Sequence, residues 1–388
     1  MASNETFTVG WICAIQQVYE AACAMLDEDL AGPELAEQND SNTYFFGRIG
    51  KHRIVISCLP SGQRGTTPAT RLAKDMMRSF PQLRFLLMVG TAGGVPIKGR
   101  DIRLGDVVVS EPNADSGGVF QHDSGYQDRG LDRAGHLNSP PAVLLSALPE
   151  VKRRHNNPAR YGGIDQHLKL LSEDSRFQRP ENDYLFKDDS YHAVSEKNCS
   201  QCKMKDLDVR QPRNLKRDVD VFYGTVASGN TVMKDSKENY VSYGEMEGRY
   251  VLCFEMESAG LMNDFPCIAI RGISNYADCH KTDEWEYYAS ATAAAYAKEL
   301  LLVVKPIKAK PLFTDSMIAE IAASIRHRID SGIILDEAAL VELLQQPRAT
   351  EMLCHKESSE HEGSETAVGS INSFDSTTPT VILVKQLK

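Results

Sequence analysis

"CIAIRGISNYADCHKTDEW", residues 267–285, decides the fold. An apolar run from Cys267 to Ile273 stops abruptly and releases the polar cluster Ser274-Asn275-Tyr276-Ala277-Asp278. This is how a buried strand of an α/β protein delivers side chains to a site at its carboxyl end. The polar residue best placed to act on a substrate is an amide, Asn275, where acid chemistry would want a carboxylate.

Working outward, strand-like segments recur at 7–15, 44–50, 52–59, 84–90, 106–111, 221–228 and 251–257. Helical spacing of apolar residues predicts helices over 17–30, 69–80 and 287–304. Alternating strands and helices give an α/β fold with a largely covered sheet. Segments 44–50 and 52–59 are separated by little more than Lys51, which predicts a hairpin and a mixed sheet. Residues 112–220 carry fewer periodic segments and read as an excursion of long loops and short helices.

After Val304 the character changes. "KPIKAKP" reads as a linker into two amphipathic helices, so 306–355 is expected to be a helical extension. Residues 356–388 are mostly Ser, Thr, Glu and Gly and are expected to be a disordered tail.

The chain has 388 residues, a hydrophobic content of 42% and a charged content of 25%, ordinary for a globular protein. A net charge of −10 argues against a general nucleic-acid binder, although one basic pocket is compatible with it. No apolar run approaches the roughly 20 residues that span a bilayer, so no membrane partner is expected. The start "MASNETFTVGWICAIQQ" lacks a basic n-region and does not read as a signal peptide. Nine cysteines, mostly in apolar contexts, fit a reducing compartment, and a cytoplasmic location is the expectation.

Several constellations could carry chemistry. In "LLMVGTAGGVP" (86–96) a strand empties into Gly90-Thr91-Ala92-Gly93-Gly94, read as a turn whose exposed N–H groups can hold a phosphate, carboxylate or hydroxyl. A tight turn without a ligand is an equal alternative. In "FEMESAG" (254–260), alternation sends Glu255 and Glu257 to one side and Met256 to the other. One Glu could grip a sugar diol; the blander alternative is a glutamate stabilised at a helix start. "SGNTVMKDS" (228–236) could line a pocket with Val232 and Met233, or be an ordinary loop. Cys199-Ser200-Gln201-Cys202 is half of a zinc site, but no second pair follows and His192 alone does not complete four ligands, so no metal is expected. Nothing resembles a HExxH or Gly-x-Ser-x-Gly signature.

The order and spacing of these motifs are more specific than any one of them. "TVGWICAI", "MVGTAGGVP" with "IRLGDVVVSE", "GTVASGNTVMKD" and "CFEMESAGLMNDFPCIAIRGISNYAD" together resemble the purine nucleoside phosphorylase and nucleosidase superfamily. The likeness is to its fungal domains that precede repeat or NTPase modules in receptor-like proteins. It implies a nucleoside phosphorylase-like domain over 1–305, a three-layer α/β/α fold with a central mixed sheet, and a homo-oligomer. It also implies cleavage of the N-glycosidic bond of a purine nucleoside or nucleotide, with adenine and ATP among the expected substrates, through an oxocarbenium-like transition state. No cofactor is implied beyond phosphate as a possible co-substrate.

By the resemblance, Thr91, Ala92 and Gly93 line the nucleophile side, Met256 packs on the ribose and Glu257 holds its 2′ and 3′ hydroxyls. Val232, Met233, Phe254 and Ser274 surround the substrate, and Asn275 meets the purine N7. Arg64, Arg271 and Lys281, with His280, are candidates for phosphate contacts, each with a surface charge as its alternative. Two positions depart from the family. Nucleosidases carry an aspartate where Asn275 stands and a water-activating glutamate at the position of Val18. An amide cannot deliver a proton, and losing an acid or base costs roughly 10²–10⁴-fold in rate. The departures leave three readings: a slow or phosphate-dependent enzyme, a lapsed or repurposed purine-binding member, or an Asp→Asn replacement, which would explain Asn275 but not Val18.

Overall fold

The structure is a computed structural model that describes residues 4–33, 38–96, 99–114, 116–123, 136–187, 190, 192, 199, 202–213, 218–231 and 251–307. The chain divides into two compact units, Met1–Ala309 and Lys310–Lys388. The extension expected over 306–355, beyond Ile307, and the tail expected over 356–388 lie outside the described residues.

Among the described residues ten strands form one mixed sheet: β1 (Val9–Cys13), β2 (Glu28–Asp29), β3 (Phe45–Ile49), β4 (His52–Cys58), β5 (Phe85–Gly94), β6 (Val107–Ser110), β7 (Val119–Gln121), β8 (Val221–Ser228), β9 (Val251–Glu255) and β10 (Cys267–Asn275). Parallel pairs β4-β1-β5-β10 make the centre, and β3–β4 is the expected hairpin. β10 pairs with both β5 and β6, while β8 and β9 lead back to β5, so this end of the sheet closes on itself. Every residue of β1 and β10 is buried, which is why β1 reads as an apolar run and β10 as one interrupted before its polar end only by Arg271.

The layers follow from register. Gly10 pairs with Leu86, and a Cβ on Gly10 would meet the Met76 sulfur of α2 (Thr66–Ser79). Gly272 pairs with Thr91, and a Cβ there would lie 1.8 Å from the Ala289 carbonyl oxygen of the helix Glu286–Val303. Alternation puts residues 86 and 91 on opposite faces, so helices cover both sides. Short helices α3 (Ala142–Leu145), α4 (Leu148–His155), α5 (Pro158–Tyr161) and α6 (Gly163–Leu168) occupy the excursion, followed in helix order by α7 (Glu286–Val303).

From Tyr288 to Leu301 α7 is buried on all sides. Its charged residues survive there by pairing: Lys298 donates to Met25 O at 2.6 Å and Asp27 Oδ1 at 2.7 Å, and Glu299 lies 2.6 Å from His167 Nε2. Among the described residues no helix is long and apolar enough to cross a membrane.

Two elements differ from the sequence reading. The helix expected over 17–30 is α1 (Gln16–Ala24), and Glu28–Asp29 is instead an edge strand on β3. Asp27 and Glu28 hold the chain extended there, accepting from Gly50 N at 2.6 Å and Arg48 Nη2 at 2.7 Å. The supposed glycine turn at 90–94 is the continuation of β5. Its glycines serve close approach: Gly93 and Gly94 pair with Phe254 and Cys253 of β9 while the other edge stays paired with β10.

The Gly272–Ala289 contact is backbone against backbone and has no side chain that can yield. A Gly272→Ala variant is expected to lose about 1–3 kcal/mol of stability or more through overpacking. Denaturant unfolding measures this, and an unchanged midpoint would contradict the helix–strand packing.

Candidate active site

The strand-end cluster is delivered by a local irregularity. β10 and β5 run in register from Cys267 to Ile273, then the register shifts so that Asn275 faces Gly93. The extra residue is Ser274. A regular strand would send Ser274 and Asn275 to opposite faces, whereas the bulge lets both reach one pocket.

The Asn275 amide is fixed from two sides. Its Oδ1 accepts from Ala277 N at 3.1 Å, and its Nδ2 donates to Ser274 Oγ at 3.1 Å. Ala277 adopts φ +54°, an uncommon left-handed conformation for a residue with a Cβ. A Cβ on Gly93 would fall 2.8 Å from Asn275 Oδ1 and 2.7 Å from the Ala277 Cβ, so Gly93 leaves the space this turn occupies.

β9 ends at Glu255, and a single 3₁₀ turn follows at Ser258–Gly260. The Glu255 carboxylate folds back to accept from Glu257 N and Ser258 N, each at 3.1 Å, and so holds the start of that turn. The helix-start role considered for the pair thus falls to Glu255. Arg271 donates to Glu255 and, at 3.1 Å, to Ser258 Oγ, and its Nη1 lies 3.5 Å from Glu257 Oε2. Glu257 also accepts from Gly65 N at 3.3 Å, and it lines the pocket. Burial pushes the Glu257 carboxyl above its usual range; Arg271 opposes that shift and Glu255 adds to it.

The pocket wall gathers Thr91, Ala92 and Gly93 from β5, Phe254 and Met256 from the β9 end, Glu257, Ser274 and Asn275. Arg64 and Lys281 lie on the same wall and are exposed to solvent. Arg271 does not: it is 0% exposed, beneath Gly90, where a Cβ would collide with its guanidinium. Its partners are the glutamates, so the structure does not present it as a phosphate contact. His280 lines a neighbouring cavity that shares Ser274 and Asn275. Val232 and Met233 lie outside the described residues, although Thr231, just before them, is on the wall. Val18 is wholly buried in the core.

Sequence reasoning missed Glu286 and Gln17. Glu286, the first residue of α7, is on the pocket wall and accepts from Gln17 Nε2 at 3.1 Å. Burial raises its carboxyl above the ordinary value and Asp283 adds to this, while Arg64 and Lys281 pull it down. Gln17 adjoins Val18, so a carboxylate from a remote helix reaches this end of α1. The signal available was a glutamate at the start of an otherwise apolar helix, a feature usually explained by the helix dipole.

A family model described as the phosphorylase superfamily matches residues 8–305. A nucleotide-binding leucine-rich repeat (NLR)-like protein of Hyaloscypha variabilis is 44% identical over 311 residues, 79% of this chain and 30% of that protein. A Death domain-containing ATP nucleosidase of Amphimedon queenslandica is 33% identical over 73 residues, 18% of this chain and 13% of that protein. The chain therefore matches less than a third of the length of these relatives. Among solved structures, a 5′-methylthioadenosine/S-adenosylhomocysteine nucleosidase from S. pneumoniae aligns at TM-score 0.49 and 16% identity, covering 77% of this chain and 100% of that one. With its mixed sheet, its strand-end pocket and a family match that runs from β1 through α7, the chain belongs to the phosphorylase superfamily.

Proposed function

We propose that the first unit cleaves the N-glycosidic bond of a purine nucleotide, adenine nucleotides foremost. The observation that carries this is the convergence of Thr91, Met256, Glu257, Ser274 and Asn275 on one pocket. Glu257 offers a carboxylate that can accept from two adjacent ribose hydroxyls. Arg64 and Lys281 supply positive charge for an anionic 5′ group. The relative named as an ATP nucleosidase supports an adenine nucleotide as substrate.

In this reading the C1′–N9 bond breaks with its electrons passing to the purine. With Oδ1 held by Ala277 N–H, the Nδ2 of Asn275 donates a hydrogen bond to N7 and stabilises the departing base without transferring a proton. Solvent protonates the base afterwards. Water attacks C1′ of the cationic sugar, and Glu286 takes its proton in place of the glutamate that Val18 replaces. The N-terminus of α7 favours the ionised Glu286 needed for this.

A second reading is a purine-binding module without turnover, favoured by Asn275 and Val18 themselves. Incubation with AMP, ADP, ATP and adenosine, with and without phosphate, is expected to release free base, followed by chromatography. Asn275→Asp is expected to speed release by about 10²–10⁴-fold, by restoring a proton donor. Release by neither protein would overturn the enzyme reading, and thermal stabilisation by purines would then favour the binding module.

The pH profile tests the acid–base assignment. Glu286 acts as a base only when ionised, so the rate should rise with pH through its raised pKa. With an amide at position 275, no loss on the alkaline side should follow from that position. Asn275→Asp should add an alkaline limb, because its acid must be protonated. Glu286→Gln should remove the acid limb and cost about 10²–10⁴-fold. An acid limb that survives Glu286→Gln would assign it to Glu257 instead.

A further inference from the structure

The excursion between β7 and β8 packs into the main core through residues such as Leu148, Ile164 and Leu185, and near the strand-end loop its described residues form a separate cluster. Its satellite cluster contains three buried residues, Phe186, Cys199 and Cys202, with Tyr184 and Leu207 packed at its edge. Two of the three are the cysteines of the C-x-x-C pair.

The structure brings to this pair what the sequence could not show. His192, Cys199 and Cys202 place a ring nitrogen and two sulfurs within 4.8 Å of one another. A tetrahedral ion with bonds of about 2.0–2.3 Å to nitrogen and sulfur needs ligand atoms about 3.5–3.8 Å apart, a contraction of about 1 Å from the outer limit of this arrangement. A further cysteine adjoins the group from the far side of the chain. The Cys279 sulfur rests 3.6 Å from the carbonyl oxygen of Ser190, two residues before His192, and 3.5 Å from Nδ1 of its neighbour His280. Cys199 Sγ lies 3.6 Å from the carbonyl oxygen of His280, the residue next to Cys279.

We propose that His192, Cys199, Cys202 and Cys279 bind one zinc ion, with Cys279 turning its exposed thiol from Ser190 O to complete a closed tetrahedral site. Three thiolates and an imidazole select a borderline-soft ion such as Zn²⁺ over Mg²⁺ or Ca²⁺. Each cysteine loses its proton on binding, so uptake releases protons to solvent. A site with four protein ligands leaves no open position for a substrate, and its role is structural.

The consequence for the pocket is mechanical. Cys279 lies four residues after Asn275, and the excursion already grips this loop at several points. His280 stacks on Phe186 with ring centroids 3.9 Å apart, Tyr276 donates to Asp183, and Trp285 Nε1 donates to Asn182 O at 3.0 Å. Zinc would clamp the excursion to the loop and thereby position Asn275.

The test is metal analysis of the whole chain purified under reducing conditions, by plasma mass spectrometry. About one zinc per chain is expected, as for a single closed site. Cobalt exchanged for zinc should show thiolate-to-metal charge-transfer and intense visible bands of tetrahedral coordination. Cys279→Ser should weaken the charge-transfer band, and Cys199→Ser or Cys202→Ser should abolish uptake. These readouts do not depend on any activity of the pocket. Wild-type chain that carries no zinc and takes up neither zinc nor cobalt after reduction overturns the site, and needs no variant to fold. An unchanged cobalt spectrum in Cys279→Ser overturns the four-ligand arrangement.

Discussion

The site depends on a guanidinium sealed inside the protein. Arg271 and Glu255 have side chains with 0% exposure, and the pair sits where β10, β9 and the 3₁₀ turn meet. Isolated, either charge would cost several kcal/mol to bury, so each holds the other in place. Removing one partner of such a pair typically costs about 3–5 kcal/mol, because the other remains charged and dry. The arrangement explains the glycine at position 90, since any side chain there would enter the guanidinium. It also explains why Glu257 faces the pocket with a fixed carboxylate: Arg271 behind it and Gly65 N–H beside it leave little freedom. A residue that never touches solvent thus orients the group best suited to a ribose.

What the sequence disclosed and what it hid divide along a physical line. Strands such as Val9–Cys13 and Cys267–Asn275 were legible because burial on both faces forces a run that is apolar almost throughout, broken before Ser274 only by the paired Arg271. The fate of Gly90–Gly94 was not legible, since glycine serves a turn and a close approach equally well. Only the partners decide between them, and those are Arg271, Asn275 and β9, far away in the chain. Alternation would set Met256 apart from Glu255 and Glu257, but β9 ends at Glu255 and all three line the pocket. Nor did it give any means to separate the duties of the two glutamates. Their division rests on one carboxylate folding back onto the N–H groups of the turn. Arg271 read as a surface charge or phosphate contact for the same reason, because its counter-charges are assembled only in three dimensions. Glu286 was hidden by distance: its contact with Gln17 spans 269 positions.

The two departures from the family differ in kind. Val18, where the resemblance places a glutamate, is wholly buried in the core. Asn275 preserves nearly everything except the proton. An aspartate at this position would accept from Ala277 N–H through one oxygen and face the substrate with the other. The amide keeps the first contact through Oδ1 and turns a donor, Nδ2, toward the side where the acid would present its hydroxyl. Hydrogen bonding to a leaving purine survives such a replacement, while delivery of a proton does not.

This asymmetry favours a pocket kept for ligands over one in decay. A pocket released from its role has no physical reason to retain a left-handed alanine, which costs of order 1–3 kcal/mol where it is held. Nor does it need a glycine opposite to make room for that turn. Likewise a partly buried Glu286 beside Gln17 adds desolvation without adding core. Each of these features lowers stability or leaves it no better, and Gly93, Ala277 and Glu286 all line the pocket that holds Asn275. The combination is coherent if something binds there that an amide donor and an ionised carboxylate recognise together. In the proposed reaction a purine joined to a ribose would present an acceptor at N7, a diol to Glu257 and, as its bond breaks, a cationic carbon next to water that Glu286 would activate.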